Sequence, residues 1–220
     1  MKKILTISAL IGMSLSSIAF AEFERNPSSA NTPIPPSPLF SSPGYNGGSN
    51  PVADPGFEGG TPNADWDEAS SNFGTPICDA GACGTGGATN GPASGTFWTW
   101  FGGIAGSEIG SVSQSVTIPN GSATLSFQLQ MFVCDSADDF MAVDIDGTEV
   151  FRILGDDAIC TVDAYTEQMV DISAFADGGA HTVTFSSEIF ATNGAGSNFF
   201  VDDVVIEGMV PVELMNFSID

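Results

Sequence analysis

Ala123-Thr-Leu-Ser-Phe-Gln-Leu-Gln-Met-Phe-Val133 is the stretch that decides the fold. Ala123, Leu125, Phe127, Leu129, Met131 and Val133 alternate with Thr124, Ser126, Gln128 and Gln130. In an extended chain successive side chains point to opposite faces, so this is a strand with one buried face. Upstream, Val112, Val116 and Ile118 mark a preceding strand, closed by the turn formers Pro119-Asn120-Gly121. Downstream, Met141, Val143 and Ile145 lead into Asp146-Gly147, and Val150 to Leu154 follows. Asp-Gly between two alternating runs is a strong hairpin signal. His181, Val183, Phe185 and Ile189 alternate with Thr182, Thr184 and Ser186, and Phe199 to Ile206 and Thr96 to Phe101 read as further strands. Helical periodicity is nearly absent; Asp171 to Phe175 has room for one short turn. Seven or eight short strands joined by Gly, Pro and Asn turns specify an all-β fold, an antiparallel two-sheet β-sandwich.

The charge balance excludes whole classes of partner. The chain of 220 residues carries 27 Asp and Glu against four Lys and Arg, a net charge of -23. Such a surface repels phosphate backbones and anionic headgroups, so nucleic-acid binding is not expected. Yet 42% of the residues are apolar, enough for a packed core and unlike an acidic disordered tail.

Residues 1–21 read as a secretory leader. Lys2 and Lys3 precede a mostly apolar run to Phe20, and Ala19-Phe20-Ala21 is a small-x-small cleavage site. Its removal takes both lysines and shifts the net charge from -23 to -25. No other apolar run reaches membrane length, so the mature chain is expected in solution, outside the cell, at its surface or in a periplasm. Residues 22–50 form a linker, with Pro27, Pro33, Pro35, Pro36, Pro38 and Pro43 among Ser, Asn and Gly, a composition that buries little. The sandwich is expected over 51–208 and a strand-like tail over 209–220.

Export makes four cysteines a disulfide framework. Cys78 and Cys83 close a small loop. If the strand at 123–133 runs up, the next runs down and the one after it up again. Cys134 and Cys160 then fall in two loops at the same end. Their bond closes a loop of about 25 residues, worth about 3 kcal/mol. The spacings do not match a zinc ribbon and the single His is remote.

The ordered motifs carry a resemblance. Pro55-Gly-Phe-Glu58, Trp98-Thr-Trp-Phe-Gly-Gly103, Ser113-Gln-Ser-Val-Thr-Ile-Pro119, Val143-Asp-Ile-Asp-Gly-Thr148, Val170-Asp-Ile-Ser-Ala-Phe175 and Phe199-Phe-Val-Asp-Asp-Val-Val-Ile206 follow in sequence. Over about residues 52–208 the chain resembles the galactose-binding-like jelly roll of secreted carbohydrate-binding modules, MAM domains and bacterial cleaved-adhesin domains. The resemblance implies a two-sheet jelly roll whose first and last segments lie side by side. It also implies a structural calcium at that junction, held by Glu58, Asp202 and Asp203. Hard oxygens suit calcium, and carboxylates gathered by the fold would repel without a cation. Strand alternation puts Asp202 and Asp203 on opposite faces, with Asp203 favoured as the inward ligand.

Other candidates are weaker. Asp135, Asp138, Asp139, Asp156 and Asp157 fall in the two loops joined by the second disulfide, a possible second cation site or simply a solvated rim. Trp66, Trp98, Trp100 and Tyr165 are candidates for stacking on sugar rings. Trp66, in the polar stretch Asn63 to Glu68, is the one expected to be exposed, and one of the two faces of the Trp98–Trp100 strand is expected to be core. There is no Gly-x-Ser-x-Gly, no phosphate-binding glycine loop and no acidic pair with a recognisable catalytic context, so an enzyme is not expected. The first expectation is a non-catalytic, calcium-stabilised domain binding carbohydrate or another cell-surface ligand, as in adhesion. The alternatives are a structural or assembly protein that self-associates through the strand-like residues 210–220, and a small polysaccharide hydrolase.

Overall fold

The computed structural model describes residues 50–84, 91–160, 162–190 and 196–209. The expected leader, residues 22–49 of the expected linker, and the tail from residue 210 lie outside the described residues. The described residues hold ten strands: β1 (Asp67–Ser70), β2 (Ile77–Asp79), β3 (Phe97–Phe101), β4 (Glu108–Thr117), β5 (Ser122–Met131), β6 (Phe140–Ile145), β7 (Thr148–Leu154), β8 (Thr166–Asp171), β9 (Ala180–Ile189) and β10 (Phe199–Met209). They form two five-stranded sheets, in the orders β1-β4-β9-β6-β7 and β2-β3-β10-β5-β8. Every pairing is antiparallel. The only helical pieces described are one turn at Ala80–Cys83 and a 3-10 turn at Ser173–Phe175.

Local chemistry sets the connections. Asp146 (φ 51°) and Gly147 (φ 75°) join β6 to β7, the left-handed pair that a two-residue hairpin needs. The Pro119-Asn120-Gly121 turn passes the chain from the first sheet, at β4, to the second, at β5.

The deciding segment behaves as its alternation requires. Ala123, Leu125, Phe127, Leu129 and Met131 are buried, and they pack with Val112, Val116, Val183, Phe185, Met141, Val143 and Ile145 of the other sheet in one core. Phe127 meets Phe151 and Phe185 edge-on at 5.3 and 5.2 Å. Burial of side chains this size stabilises by about 1.5–3 kcal/mol each.

Three strands were not foreseen. β1 is Asp-Glu-Ala-Ser at a sheet edge, β2 has three residues, and β8 is an edge strand whose Met169 is exposed. None offers a run of alternating apolar residues. A second departure concerns β3, Phe-Trp-Thr-Trp-Phe, which is buried on both faces. Phe97 and Phe101 enter the main core. Trp98 and Trp100 form a separate cluster on the outer face with Cys78, Ala82, Cys83 and Phe200, flanked by Phe132 and Tyr165. One face is expected to be core, and it is; the other is buried as well, because the disulfide-closed turn folds back over it.

Both expected disulfides are present, Cys78–Cys83 and Cys134–Cys160, with Cα separations of 5.9 and 6.0 Å. The opening segment lies beside β10. The Val204 amide donates to Pro55 O at 2.8 Å, Asn50 Nδ2 donates to Val204 O at 2.9 Å, and the Ile206 amide donates to Asn50 Oδ1 at 3.0 Å.

Candidate functional site

A break in strand pairing builds the junction. β10 pairs with β5 as Asp202 with Gln128 and then Val205 with Ser126, so β10 carries one extra residue. This is a β-bulge. Asp203 adopts φ 48° there, a left-handed conformation that Asp tolerates better than most residues. The bulge cancels alternation. A Cβ placed on Gly56 would lie 3.6 Å from Asp202 Oδ1, 3.6 Å from Asp203 Oδ1 and 3.8 Å from Glu58 Cγ. The expectation that Asp202 and Asp203 would face opposite ways is therefore corrected: both carboxylates reach the bare flank of Gly56.

The three acids share a second neighbour, the loop before β3. Asp202 Oδ2 accepts from the Ala93 and Ser94 amides at 2.8 and 3.1 Å. Asp203 Oδ1 accepts from Ser94 Oγ at 2.7 Å. Glu58 Oε1 accepts from the Thr96 and Phe97 amides at 2.8 and 3.0 Å. Gly95 lies between them with φ +64°, and a Cβ there would collide with Glu58 Oε1.

The electrostatics are unfavourable without a counter-charge. Asp202 is fully buried and Glu58 is 7% exposed. Burial first, and the Asp203 charge second, push Asp202 up to about 8, against the pull of its three amide donors. Glu58 Oε2 is buried and finds no hydrogen-bond partner among the described residues. An oxygen in that position carries a desolvation cost of about 1–3 kcal/mol or more. A calcium ion, which takes six to eight oxygen ligands, fits the donor type and the unpartnered oxygen. As they stand, the carboxylates are engaged with loop amides, and no three His, Cys, Asp or Glu side chains among the described residues form a ready cation cluster.

The aromatic candidates divide. Trp66 is 3% exposed, which corrects its expected exposure. Asn63 Oδ1 accepts from the Asp65 and Trp66 amides, folding the polar loop inward. Trp66 Nε1 then donates to Asp54 O at 3.0 Å, and its ring lies 5.0 Å from that of Phe57. Trp98 and Trp100 are covered on the outer face of the second sheet. Trp100 Nε1 donates to Asn198 Oδ1 at 2.6 Å, whereas Trp98 Nε1 and Gln130 Oε1 are buried without hydrogen-bond partners among the described residues. Tyr165 packs on this cluster and donates its hydroxyl to Gly91 O at 2.6 Å. Its hydroxyl pKa is raised, chiefly by burial and then by the charges of Asp202 and Asp203.

No family model matches the chain, and no curated protein matches it by sequence. Solved structures do. TmCBM61 in complex with beta-1,4-galactotriose is 19% identical, with a TM-score of 0.52 over 74% of this chain and 100% of that one. The K3 cleaved adhesin domain of Lys-gingipain from Porphyromonas gingivalis is 17% identical, with a TM-score of 0.44 over 71% of this chain and 99% of that one. The carbohydrate-binding module CBM36 in complex with calcium and xylotriose is 15% identical, with a TM-score of 0.36 over 64% of this chain and 98% of that one. The fold is a two-sheet jelly-roll β-sandwich, shared with the first of these structures.

In this jelly roll the acidic rim is not one cluster. Asp139 is fully buried, and its two oxygens accept from the Phe190 amide at 2.9 Å and the Ser197 amide at 3.0 Å. Asp157 Oδ1 is turned to the Ile159 amide at 3.1 Å, and Asp138 is exposed. The group expected as a second cation site thus divides into a buried loop anchor, Asp139, two half-buried acids, Asp135 and Asp157, and two exposed ones, Asp138 and Asp156. Sequence reasoning missed the loop at 91–97 as part of the junction, because backbone amides leave no mark in side-chain identity; the one available signal was Gly95.

Proposed function

We propose that the mature chain is a secreted, non-catalytic carbohydrate-binding domain whose jelly roll is stabilised by one calcium ion held by Glu58, Asp202 and Asp203. One observation carries the carbohydrate half: the shell superimposes over the full length of a module described with bound galactotriose. The chemistry of the second sheet's outer face supports it. A pyranose offers apolar C–H faces to aromatic rings and hydroxyls to polar atoms. Trp98, Trp100 and Tyr165 supply the rings there, and Trp98 Nε1 and Gln130 Oε1 supply a donor and an acceptor without partners among the described residues. The face is covered in this conformation, so binding requires the cover to move. Trp66 has no part in this reading, since it lies in the inner core.

The calcium half rests on Glu58 Oε2, buried without a hydrogen-bond partner among the described residues, and on the approach of Asp202 Oδ1, Asp203 Oδ1 and Glu58 Cγ to Gly56. A bound ion supplies positive charge where buried carboxylates otherwise face one another, and it favours the folded state by mass action. Glu58 ties the opening segment to the site, while Asp202 and Asp203 tie in β10. Affinity electrophoresis against galactans and xylans, with calcium and with chelator, tests the whole reading. Retardation by a β-linked glycan that is lost in Trp98→Phe, with the melting temperature preserved, supports it. Absence of retardation on every glycan, together with a melt indifferent to calcium, overturns it.

A further inference from the structure

Strand register sets out the chemistry of the second sheet's outer face. Trp100, Phe200 and Gln130 lie side by side across β3, β10 and β5, and Asp202, Gln128 and Glu167 lie across β10, β5 and β8 in the adjoining row. Trp98 and Trp100 meet the Phe200 ring edge-on at 6.4 and 5.0 Å. Gln130 is 2% exposed, and its Oε1, like Trp98 Nε1, is buried without a hydrogen-bond partner among the described residues. The face thus offers rings, an indole N–H, a carboxamide and carboxylates, but no cation. Among the described residues the basic side chains are Arg152 and His181, and both stand on the first sheet, in β7 and β9. Both are also engaged there, Arg152 with Glu149 and His181 with Asp146 and Asp177.

Resting on the carbohydrate reading above, we propose that this face selects uncharged glycans and excludes uronates, and that Gln130 is its specificity residue, taking ring hydroxyls together with Trp98 Nε1.

Two physical arguments carry the inference. The first is charge. A ligand carboxylate moved onto this face loses its water and finds no counter-ion. It also meets like charge in Asp202 and Glu167 of the adjoining row. Tyr165, which packs on the aromatic cluster, feels the same surroundings. Its hydroxyl pKa is raised, by burial first and then by the charges of Asp202 and Asp203, so an anion is disfavoured at that place. A calcium ion at Glu58, Asp202 and Asp203 does not reverse the sign, because two positive charges against three carboxylates still leave a negative set. The second argument is hydrogen bonding. An indole N–H only donates and a carboxamide oxygen only accepts, whereas a sugar hydroxyl does both. Each of the two buried groups costs stability while it lacks a partner, and a neutral polyhydroxyl ligand completes both without bringing a charge into the site.

Affinity electrophoresis of the full chain tests the inference on matched probes: galactan and xylan, the carboxymethylated form of each, and the methyl ester of that form. Carboxymethylation is expected to weaken retardation about tenfold or more, as like charges placed together do. The methyl ester, equal in bulk but neutral, is expected to restore most of the loss. Gln130→Met keeps the length and apolar fit of the side chain and removes its carboxamide. It is expected to weaken the parent glycan about three- to tenfold, the worth of one hydrogen bond. Its melting temperature should hold or rise, since a buried acceptor without a partner is gone. A residue that serves packing alone would not separate binding from stability in this way. Gln130→Leu carries the same expectation should Gln130→Met not fold. Equal retardation by the carboxymethylated glycan, a methyl ester as weak as the acid, or unchanged affinity in a folded Gln130 variant overturns this inference and leaves the carbohydrate reading standing. No retardation by any probe overturns both.

Discussion

Two buried carboxylates, Asp139 and Glu58, make opposite use of the same environment. Asp139 is fully buried and complete: one oxygen accepts from the Phe190 amide, the other from the Ser197 amide. Its own carbonyl also accepts from the Gly155 amide at 2.8 Å. Glu58 is almost as buried but half-finished, with both amide donors on Oε1 and none on Oε2. A buried charge is retained only when its lone pairs are met. The first acid is met by backbone and serves as a staple between loops. The second is met on one side, and a cation would meet the other. Sequence position does not separate them, since both are acids in loops beside strands.

The sharpest way to break that contrast is at Asp139. Asp139→Ala strands a buried amide, that of Ser197, and a part-buried one, that of Phe190, at once, and a buried donor left without its partner costs about 1–3 kcal/mol. For a domain of this size, 1 kcal/mol moves the midpoint by about 2–4 °C. A fall in melting temperature of about 10 °C, equal in calcium and in chelator, is expected by calorimetry. A loss confined to calcium would instead make Asp139 a cation ligand. Asp203→Asn, which keeps a residue that tolerates the φ of 48°, should behave in the opposite way. At calcium a hundredfold above its dissociation constant the ion contributes about 2.7 kcal/mol, and the variant should lose that increment while losing little in chelator. A parental melt that chelator leaves unchanged removes the basis for the contrast. Gly95→Ala is next in size. Its φ of +64° disfavours a Cβ, and that Cβ would strike Glu58 Oε1. Strain of this type costs about 1–3 kcal/mol, and calcium affinity should fall with it.

The sheets were readable because alternation over β4, β5 and β9 runs for ten residues each. A one-residue slip in such a strand would turn every buried side chain outward. The Cys134–Cys160 bond was readable for a related reason, since strand direction alone brings the two loops to one end. The junction was only partly readable. Asp202 and Asp203 were identifiable as a pair, but the bulge that turns both toward Gly56 depends on how β10 meets β5, a relation between distant segments. Trp66 misled because its neighbours Asn63, Asp65, Asp67 and Glu68 are polar. Those groups spend themselves within the loop, with Glu68 Oε1 accepting from the Asn63 amide and Asn63 Oδ1 from that of Trp66, so the indole is left to the core.

The smallest expected effect lies in the contrast between these buried acids and a solvent-facing pair. His181 Nδ1 lies 2.7 Å from Asp146 Oδ2, and its Nε2 lies 3.0 Å from Asp177 Oδ1. Both ring nitrogens can donate only in the imidazolium. The Asp177 hydrogen bond first, and the Asp146 bond second, raise the His181 pKa. The Asp146 and Asp177 values are lowered, by the Thr182 amide and by His181 respectively. A raised imidazole stabilises fully below its unfolded pKa of about 6.5, and that contribution fades as pH climbs through the folded value. The lowered carboxylates stabilise above about 3.9, and their contribution fades as pH falls through their folded values. The clasp between the β6–β7 turn and the start of β9 is therefore strongest between about pH 4 and 6.5. Melting temperature should decline from pH 6 to 8, in part because the raised value of Asp202 lies in the same window, and His181→Ala should remove only the share that the clasp contributes. Solvent around both carboxylates and 0.5 M salt should shrink the effect, whereas the Asp139 loss should survive the same salt. Equal pH slopes in the parent and in His181→Ala would show that the clasp contributes nothing.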